Sequence, residues 1–289
     1  MLKVGCVVLN YKNYNETIAC VESLLLQEDI EIEIVIVDNG SQNESLEILK
    51  NRFGKVANCF MIESKMNCGF AKGNNLGIKF LRTRGISNIW LVNSDTVFTD
   101  PGIMRDALNA CVKEVGLINV KSCLSDAGKN HSIAFKEKWL TLRMVKSFLL
   151  AYWERIIRKK KVHSKREGIP LVKIKELNDQ IEKGKYKIHQ GNYIVTGSVF
   201  LLTESFFENY GGIFPETFLY YEEYATILFL KKAGLKTAMV DTGMVLHKHR
   251  ASTIGMDTSD YGLESIRKIM KLFIMNKQQI NSRYFGEKS

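Results

Sequence analysis

The chain has 289 residues, of which 45% are hydrophobic and 10% aromatic, and its formal net charge at pH 7 is +10. This composition suits a packed globular core and excludes a disordered, collagenous or disulfide-scaffold protein. Apolar runs such as 148–153 are far shorter than the roughly 18 to 20 residues that span a bilayer, and the N-terminal residues lack the apolar stretch of a signal peptide. We therefore expect a folded protein that stays in the cytoplasm.

The first half of the chain alternates between two hydrophobic patterns. Strand patterns fall at 3–9, 32–37, 58–62 and 88–92, and helix patterns fall at 16–27, 43–53 and 70–82. Such alternation predicts an α/β fold with a mostly parallel, Rossmann-like central sheet flanked by helices. Ligands of these sheets bind beyond the carboxyl ends of the strands, so the residues after each strand are the first candidates for a site.

The alternation stops near residue 122 and returns at 193. The second half predicts a strand within 193–202, helices at 203–210 and 222–233, short strands at 237–240 and 244–247, and a final helix at 261–277. Thr203 is the expected N-cap of the first of these helices, and Gly234 is expected to end the second. Because we find no internal repeat and no linker, we predict one domain with a long insertion, 122–190.

Six cysteines are scattered along the first half of the chain. They form no CxxC pair and have no histidine at metal-binding spacing. In a cytoplasmic protein this favours reduced thiols that pack as small hydrophobic side chains over a zinc site or a disulfide framework.

Polar residues follow three of the predicted strands. They are Asn10 and Tyr11, then Asp38, Asn39 and Ser41, and finally Asn93, Ser94 and Asp95. Either carboxylate alone could cap the turn after its strand. Two carboxylates in one crevice instead suit a nucleotide whose base or ribose contacts Asp38 and whose phosphates reach Asp95 through a divalent cation.

Three glycines, Gly69, Gly73 and Gly77, recur at intervals of four residues around the third predicted helix. Because this is not the GxGxxG spacing of a dinucleotide-binding fold, a nicotinamide-dependent enzyme is disfavoured. Glycines four residues apart line one helix face and permit the close approach of another element or of a ligand. For a ligand, the nearby donors are Lys72, Asn74 and Asn75.

Two acidic residues, Glu222 and Glu223, begin the helix predicted at 222–233. Carboxylates in a first helical turn often do no more than interact with the helix dipole. The alternative is a general base, since a sugar hydroxyl is too weak an acid to attack unaided at neutral pH.

A basic sequence, 247–250, follows the last predicted strand. A neutral imidazole at His247 could complete a cation site with Asp95, and the neighbouring cations could neutralise a diphosphate. The alternative is a solvated basic loop.

Most of the surplus charge lies in one segment. Residues 136–166 contain eleven Lys/Arg and two Glu, a net charge of +9, and apolar residues keep helical spacing across 139–161. Such a helix can lie in an anionic membrane surface, or it can pack on the core and leave a solvated basic tail. No nucleic-acid partner is expected, because no recognition fold accompanies the charge.

The strand ends, the glycine segment, the acidic pair and the basic sequence at 247–250 follow one another along the chain in a characteristic order. In this order they resemble the family 2 nucleotide-sugar-dependent glycosyltransferases, especially the rhamnosyltransferase-like branch that builds bacterial surface polysaccharides. The resemblance covers roughly residues 3–120 and 193–253. It rests on VVLNY at 7–11, IVIVDNGS at 34–41, the glycine segment 67–77, WLVNSDT at 90–96, TGS at 196–198, FLYYEE at 218–223, and His247 with AST at 251–253.

The resemblance implies a GT-A fold and an inverting transfer from a nucleotide diphosphate-sugar donor, with Mg²⁺ or Mn²⁺ as cofactor. Asp38 then recognises the base, and Asp95 is the metal-facing carboxylate of a DXD-like motif. Glu223 takes the place of the catalytic base, and His247 helps to hold the metal and the diphosphate.

The same resemblance divides the domain and suggests the acceptor. Residues 1–121 form the nucleotide-sugar-binding half and 191–289 the acceptor and catalytic half with a C-terminal helix. The basic helical insertion between them would meet a polyprenyl-linked saccharide acceptor of capsule or O-antigen synthesis. The protein would then lie on the inner face of the cell membrane.

One departure from the family pattern leaves a second hypothesis open. After the two aromatic residues the family usually has Glu-Asp-x-Asp, whereas this chain has Glu222, Glu223, Tyr224 and Ala225. The base is one methylene longer and the second aspartate is absent. The alternative is a catalytically impaired, membrane-associated protein that binds a nucleotide-sugar or a partner transferase.

Overall fold

The computed structural model describes residues 2–124, 197–248 and 259–286, together with 135–136, 145–146, 149, 180–183, 186–191 and 193–194. Most of the basic insertion, with its predicted membrane-facing helix, lies outside the described residues, as do 249–258. In the part of the chain that is described, no helix combines the length and the apolar character needed to cross a membrane.

The N-terminal half folds as the alternating pattern predicts. Its strands are β1 (Leu2–Asn10), β2 (Ile30–Asp38), β3 (Cys59–Glu63) and β4 (Ile89–Asn93), and its helices are α1 (Tyr14–Leu25), α2 (Ser45–Phe53) and α3 (Phe70–Thr83). The four strands are parallel and lie in the order β3-β2-β1-β4.

Three elements that the hydrophobic pattern did not reveal come next. They are β5 (Thr96–Phe98), α4 (Ile103–Asn109) and β6 (Val115–Leu124). The first two are too short to display a period. Residues 115–120 of β6 are buried on both faces, so this strand has no alternation to detect.

The rest of the described chain completes a mixed sheet. The strands of this part of the chain are β7 (Phe135–Lys136), β8 (Gln180–Lys183), β9 (Tyr186–Gly191), β10 (Tyr193–Ile194), β11 (Val199–Leu202) and β12 (Lys236–His247), of which β7 and β10 pair in a separate two-stranded sheet. The main sheet has the order β3-β2-β1-β4-β11-β6-β12-β9-β8, with β5 paired to β12. Strand β11 is antiparallel to both neighbours, β4 and β6. Strands from both halves of the sequence therefore share one sheet.

The C-terminal half also supplies four helices among the described residues. They are α5 (Glu204–Phe207), α6 (Glu222–Ala233), α7 (Ser259–Met270) and α8 (Lys277–Tyr284), with a 3-10 turn at Lys271–Phe273 before the last. Helix α6 ends where the sequence predicts, because Gly234 adopts the left-handed conformation, with φ of 70°, and its N–H bonds back to Leu230 and Lys231.

Two hydrophobic clusters cover the two faces of the sheet, and β1 shows how they separate. Val4, Cys6 and Val8 belong to one cluster, and Val7 belongs to the other. This period of two is that of a strand with both faces buried. The five cysteines whose side chains are described are all free, as expected.

The glycine face of α3 serves close packing. A Cβ at Gly73 would stand 2.5 Å from Leu9, and one at Gly77 would stand 2.5 Å from Val7. These glycines let α3 lie directly on β1. The second interpretation of the glycine spacing, close approach of a ligand, does not apply to these two positions.

The final helix predicted at 261–277 is wrong in its second half. Helix α7 ends at Met270, and α8 starts anew after Asn276. Asn276 and Gln279 form a capping box, in which each side chain accepts a hydrogen bond from the other residue's backbone N–H. A capping box marks the start of a helix, so α7 and α8 are separate helices although the apolar residues keep a helical spacing across the break between them.

Two smaller predictions also change. Helix α5 stops at Phe207 rather than at 210, and its N-cap, Thr203, makes no capping bond because its hydroxyl donates to Val115 O at 2.6 Å. The two short strands predicted at 237–240 and 244–247 are one strand, β12, whose register against β6 shifts between Val240 and Val245.

Candidate active site

The carboxyl ends of three parallel strands bring the predicted residues together. Asn10, the last residue of β1, pairs with Asp38 at the end of β2. On the other side of β1, Leu9 pairs with Asn93 at the end of β4. The polar residues after these strands therefore meet along one edge of the sheet, as the sequence predicts.

Asp38 is 4% exposed and lies in a hydrogen-bond network. Its Oδ1 accepts a hydrogen bond from Nδ2 of Asn10 at 2.7 Å and another from the Ser41 hydroxyl. Its Oδ2 accepts one from the Ser41 backbone N–H at 3.1 Å. Because a carboxylate offers about four acceptor positions, Asp38 retains capacity for one more N–H donor, such as that of a nucleotide base.

Asn10 orients Asp38. Its two amide hydrogens go to Asp38 and to Oγ of Ser41, and its Oδ1 accepts a hydrogen bond from Thr17 at 2.8 Å. Ser41, which the sequence places in the polar segment after β2, donates to Asp38 from both its hydroxyl and its backbone N–H and so also holds the carboxylate. The next residue, Tyr11, is partly buried at the end of β1.

Asn39 is committed to holding the loop before α3. Its Nδ2 donates to Asn67 Oδ1 at 3.0 Å and to Gly69 O at 3.2 Å, while its Oδ1 accepts a hydrogen bond from the Cys68 N–H at 3.1 Å. These bonds join the end of β2 to the start of α3. The geometry gives Asn39 a loop-positioning role.

The three predicted donors of α3 have different environments. Asn74 is fully buried and donates to Phe70 O at 2.9 Å. Asn75 donates to Ile213 O at 2.8 Å and accepts from Ile213 N at 2.9 Å, so it fastens a distant loop. Lys72 is exposed. Of the three, Lys72 is the exposed residue and Asn75 is only partly buried.

Asp95 and His247 meet in the folded chain. Strand β5 pairs with β12 so that Thr96 lies opposite His247, and Nε2 of His247 stands 3.2 Å from Oδ1 of Asp95. The backbone N–H of Lys248 also donates to Asp95 O at 2.9 Å. The predicted metal pair is thus assembled by an antiparallel strand pairing that the sequence pattern did not reveal.

This pair has the chemistry that a divalent cation needs. Carboxylates suit Mg²⁺ and Mn²⁺, and a neutral imidazole is a common metal ligand. No third His, Cys, Asp or Glu joins the pair within the part of the chain described here. Such a site matches cations that take one or two protein ligands and complete their coordination with substrate phosphates and water.

Glu223 reaches the same edge from α6. The N–H of Asn93 donates to Ser198 O at 2.9 Å, which places the turn at Gly197 and Ser198 beside the end of β4. A Cβ at Gly197 would stand 3.0 Å from Oε2 of Glu223. The Glu223 carboxylate therefore lies against the turn that borders Asn93, Ser94 and Asp95.

Glu222, its neighbour on α6, is only 5% exposed. Burial, reinforced by the charge of Glu223, raises the pKa of the Glu222 carboxyl from 4.5 to about 8. Its Oε1 has no hydrogen-bond partner. At neutral pH Glu222 is therefore mostly protonated, and Glu223 is the member of the pair suited to accept a proton.

The segment before α6 is conformationally strained. Tyr220 and Tyr221 both adopt positive φ angles, 73° and 69°, which cost on the order of 1–3 kcal/mol each for a non-glycine residue. Contacts from α7 hold the segment: Ser265 Oγ donates to Leu219 O at 2.9 Å, and the rings of Tyr261 and Phe218 stack at 4.7 Å. Helix α7 thus fixes the start of the helix that carries Glu223.

The sequence matches a known family over its N-terminal part. Residues 6–115 match the model described as Glycosyl transferase family 2. That range contains β1 to β4 and the residues from Asn10 to Asp95 described above. No curated protein matches the chain.

Solved structures with a similar fold are glycosyltransferases. Mannosyltransferase PcManGT from Pyrobaculum calidifontis, in complex with GDP-Man and Mn²⁺, has a TM-score of 0.52 and 10% identity, covering 86% of this chain and 57% of that chain. GalNAc-T7 with UDP, GalNAc and Mn²⁺ has a TM-score of 0.60 and 11% identity, covering 94% and 48%. S. aureus TarS with UDP-GlcNAc has a TM-score of 0.57 and 10% identity, covering 97% and 70%.

The fold is therefore that of the GT-A glycosyltransferases, and residues 6–115 carry the sequence pattern of the family 2 model. The chain spans about half of the GalNAc-T7 chain and under two thirds of the PcManGT chain.

Proposed function

We propose that the protein is an inverting glycosyltransferase that moves a sugar from a nucleotide diphosphate-sugar to a lipid-linked or growing surface-polysaccharide acceptor. The observation that carries the proposal is the position of Glu223 against the Gly197 turn, beside the end of β4 and the Asp95–His247 pair. A proton acceptor and a cation-binding pair then flank one crevice, as attack on an anomeric carbon with a diphosphate leaving group requires.

The nucleotide side of this crevice is built around Asp38. Its remaining acceptor position would take an N–H of the base, while Asn10 and Ser41 keep the carboxylate in place. Asp95 and His247 would hold the divalent cation, Mg²⁺ or Mn²⁺. When bound, the cation supplies charge neutralisation for the departing diphosphate.

On the acceptor side, Glu223 would take the proton of the attacking hydroxyl. The acceptor oxygen forms a bond to the anomeric carbon while the bond from that carbon to the diphosphate oxygen breaks. The proton ends on Glu223 and the electron pair on the nucleotide diphosphate. Attack from the face opposite the leaving group inverts the anomeric centre.

The finer assignments rest on the sequence resemblance. They are the rhamnosyltransferase-like branch, a polyprenyl-linked acceptor in capsule or O-antigen synthesis, and a location on the inner face of the membrane. We also propose a single domain, 1–289, in which 1–121 binds the donor and 191–289 carries the catalytic half. The sharing of one sheet by strands of both halves supports the single domain.

A second candidate is a nucleotide-sugar-binding protein with impaired catalysis. It is favoured by Ala225, which stands where the resembled family has its second aspartate and is buried in the hydrophobic core. Ala225 is fully buried, so this position offers no carboxylate to the crevice.

Donor turnover separates the two candidates. Purified protein with Mn²⁺ and a panel of nucleotide diphosphate-sugars should release nucleotide diphosphate if catalysis survives, and Glu223→Gln should remove this release while keeping donor binding. The control is Glu47→Gln, an exposed carboxyl on α2. Tight donor binding without turnover in any condition would support the second candidate instead.

A further inference from the structure

The turn between α7 and α8 exposes two large apolar side chains. Phe273 is 38% exposed and Ile274 is 88% exposed. We call these two residues the 273–274 tip. Together they form a small apolar patch that the described part of the chain leaves in solvent. Single exposed apolar residues are common on protein surfaces, so the meaning of this patch depends on the residues around it.

The tip lies within a second basic region of the chain. Residues 265–286 contain five Lys/Arg and no Asp/Glu, so the residues outside this region and the 136–166 segment are net acidic. Lys271 precedes the tip and Lys277 follows it, and both are exposed. The ammonium group of Lys271 stands 3.9 Å from the carboxylate of Glu216, and that of Lys277 donates to the neutral Asn209 at 2.9 Å. Positive charge therefore brackets the apolar tip.

This combination fits a bilayer better than a protein partner. A stable protein interface buries about 800 Å² on each side, which two side chains cannot supply. A membrane contact needs only that apolar side chains enter the acyl boundary while neighbouring lysines meet anionic headgroups. Long lysine stems can lie along the apolar side chains and keep their ammonium groups at the headgroups.

The tip is linked to the catalytic region by one rigid element. Helix α7 contacts the strained segment before Glu223 through Tyr261 and Ser265, and the tip follows its C-terminal end. Along a helix, the twelve positions from Tyr261 to Phe273 span roughly 18 Å. A membrane contact at the tip would thus hold the acceptor side of the crevice near the headgroups.

We propose that the 273–274 tip, with Lys271 and Lys277, inserts into an anionic membrane surface. The tip is a different part of the sequence from the basic insertion, 122–190. The proposal rests on the proposed function for the role of the tip in presenting a lipid-linked acceptor, but membrane binding can be measured without donor or acceptor.

Vesicle binding of the full chain tests the proposal. With phosphatidylcholine vesicles that contain phosphatidylglycerol, the double variant Phe273→Ser, Ile274→Ser should bind about tenfold more weakly than the wild type. Leu26→Ser is the matched control, since Leu26 is 70% exposed elsewhere on the surface, and it should bind normally. Lys271→Gln with Lys277→Gln should also weaken binding, whereas Lys50→Gln with Lys79→Gln should not.

A fluorescence measurement locates the contact. In a Trp139→Phe, Trp153→Phe background, where Trp90 is fully buried, Phe273→Trp should shift to shorter emission wavelength and be quenched by brominated lipids. Leu26→Trp in the same background should show neither change. No quenching at position 273 would overturn the proposal, even if the protein sediments with vesicles.

Two further outcomes also decide the matter. If replacement of Arg158, Lys159, Lys160 and Lys161 by Gln abolishes binding while the tip variant binds normally, the insertion alone contacts lipid and the proposal fails. It fails as well if light scattering shows a dimer that the tip variant loses and vesicles bind neither form. Vesicle binding without any sugar transfer would contradict the proposed function and leave the tip proposal standing.

Discussion

The carboxylate of Glu223 lies directly against Gly197, where an added Cβ would stand 3.0 Å from Oε2. Gly197 belongs to the turn next to the end of β4, and Glu223 belongs to the first turn of α6. Because Gly197 has no side chain, the carboxylate of Glu223, the proposed base, can lie in contact with this turn.

Gly197→Ala should displace the base with little effect on the fold, because the atom in the way is the end of a flexible side chain. We expect a fall in kcat of about tenfold or more with a smaller change in KM for the donor. Misplacement of a reacting group reduces stabilisation of the transition state more than it reduces binding of the substrate. Steady-state kinetics would measure this. In a Glu223→Gln background the same substitution should have no further effect; additive losses would contradict the assignment.

Asp95→Asn should remove the dependence of nucleotide binding on metal. The substitution removes the charge that a cation would meet beside His247 while preserving the shape of the side chain. Calorimetric titration with UDP and GDP, with and without Mn²⁺, would show affinity for the nucleotide that no longer responds to the ion. Asp29→Asn, an exposed carboxylate paired with Arg105, is the control. Unchanged metal dependence in Asp95→Asn would exclude Asp95 as a ligand.

Glu222 should make the folded protein less stable as pH rises. Its folded pKa is about 8, above the value of 4.5 for an ordinary Glu, so unfolding between these values releases a proton and is favoured by higher pH. The free energy of unfolding should fall by a few kcal/mol from about pH 5 to pH 8 through this group, and level off above its folded pKa.

Urea unfolding of Glu222→Gln at several pH values would test this. The variant should lose most of the decline between pH 5 and pH 8, because the amide cannot ionise, whereas Glu47→Gln should follow the wild type. A variant with the same slope as the wild type would show that the buried carboxyl does not titrate in this range.

Gly77→Ala should destabilise the protein although alanine is the better helix former. Relief of glycine's entropy cost in a helix favours the substitution by roughly 0.5–1 kcal/mol. The new Cβ would stand 2.5 Å from Val7, and overpacking of a core contact costs about 1–3 kcal/mol. The clash should win, with a net loss near 1 kcal/mol in urea unfolding. Lys79→Ala, exposed on the same helix, is the control; equal stability of the two variants would contradict close packing of α3 on β1.

The sequence predicts those parts of the fold whose signal lies within one continuous stretch of residues. The strands and helices from Leu2 to Asn93 follow from apolar periodicity, because each element is long enough to show its period and each buries a face against a neighbour. Strand β5 and helix α4 are too short for that, and the break before α8 is a capping signal that apolar periodicity hides. The glycines of α3 could serve packing or a ligand, and only their contacts with Leu9 and Val7 distinguish the two.

The net charge also changes meaning between sequence and structure. The strongly basic segment, 136–166, can be found by counting charged residues along the sequence. The basic region 265–286 becomes notable only because the structure exposes Phe273 and Ile274 to solvent. A count along the chain ignores exposure, and exposure decides whether charge and apolar area can act together on a membrane.

The sequence by itself determines the α/β class, the strand ends at Asn10, Asp38 and Asn93, and the residues that could serve as base and metal ligands. These follow from hydrophobic period and from the rule that parallel strands end at a common edge. Only the tertiary structure decides that His247 reaches Asp95, that Asn39 and Asn75 hold loops, and that Glu222 is buried beside Glu223. Those relationships join residues far apart in the chain or depend on solvent exclusion, and neither pairing across a sheet nor burial is encoded in local spacing.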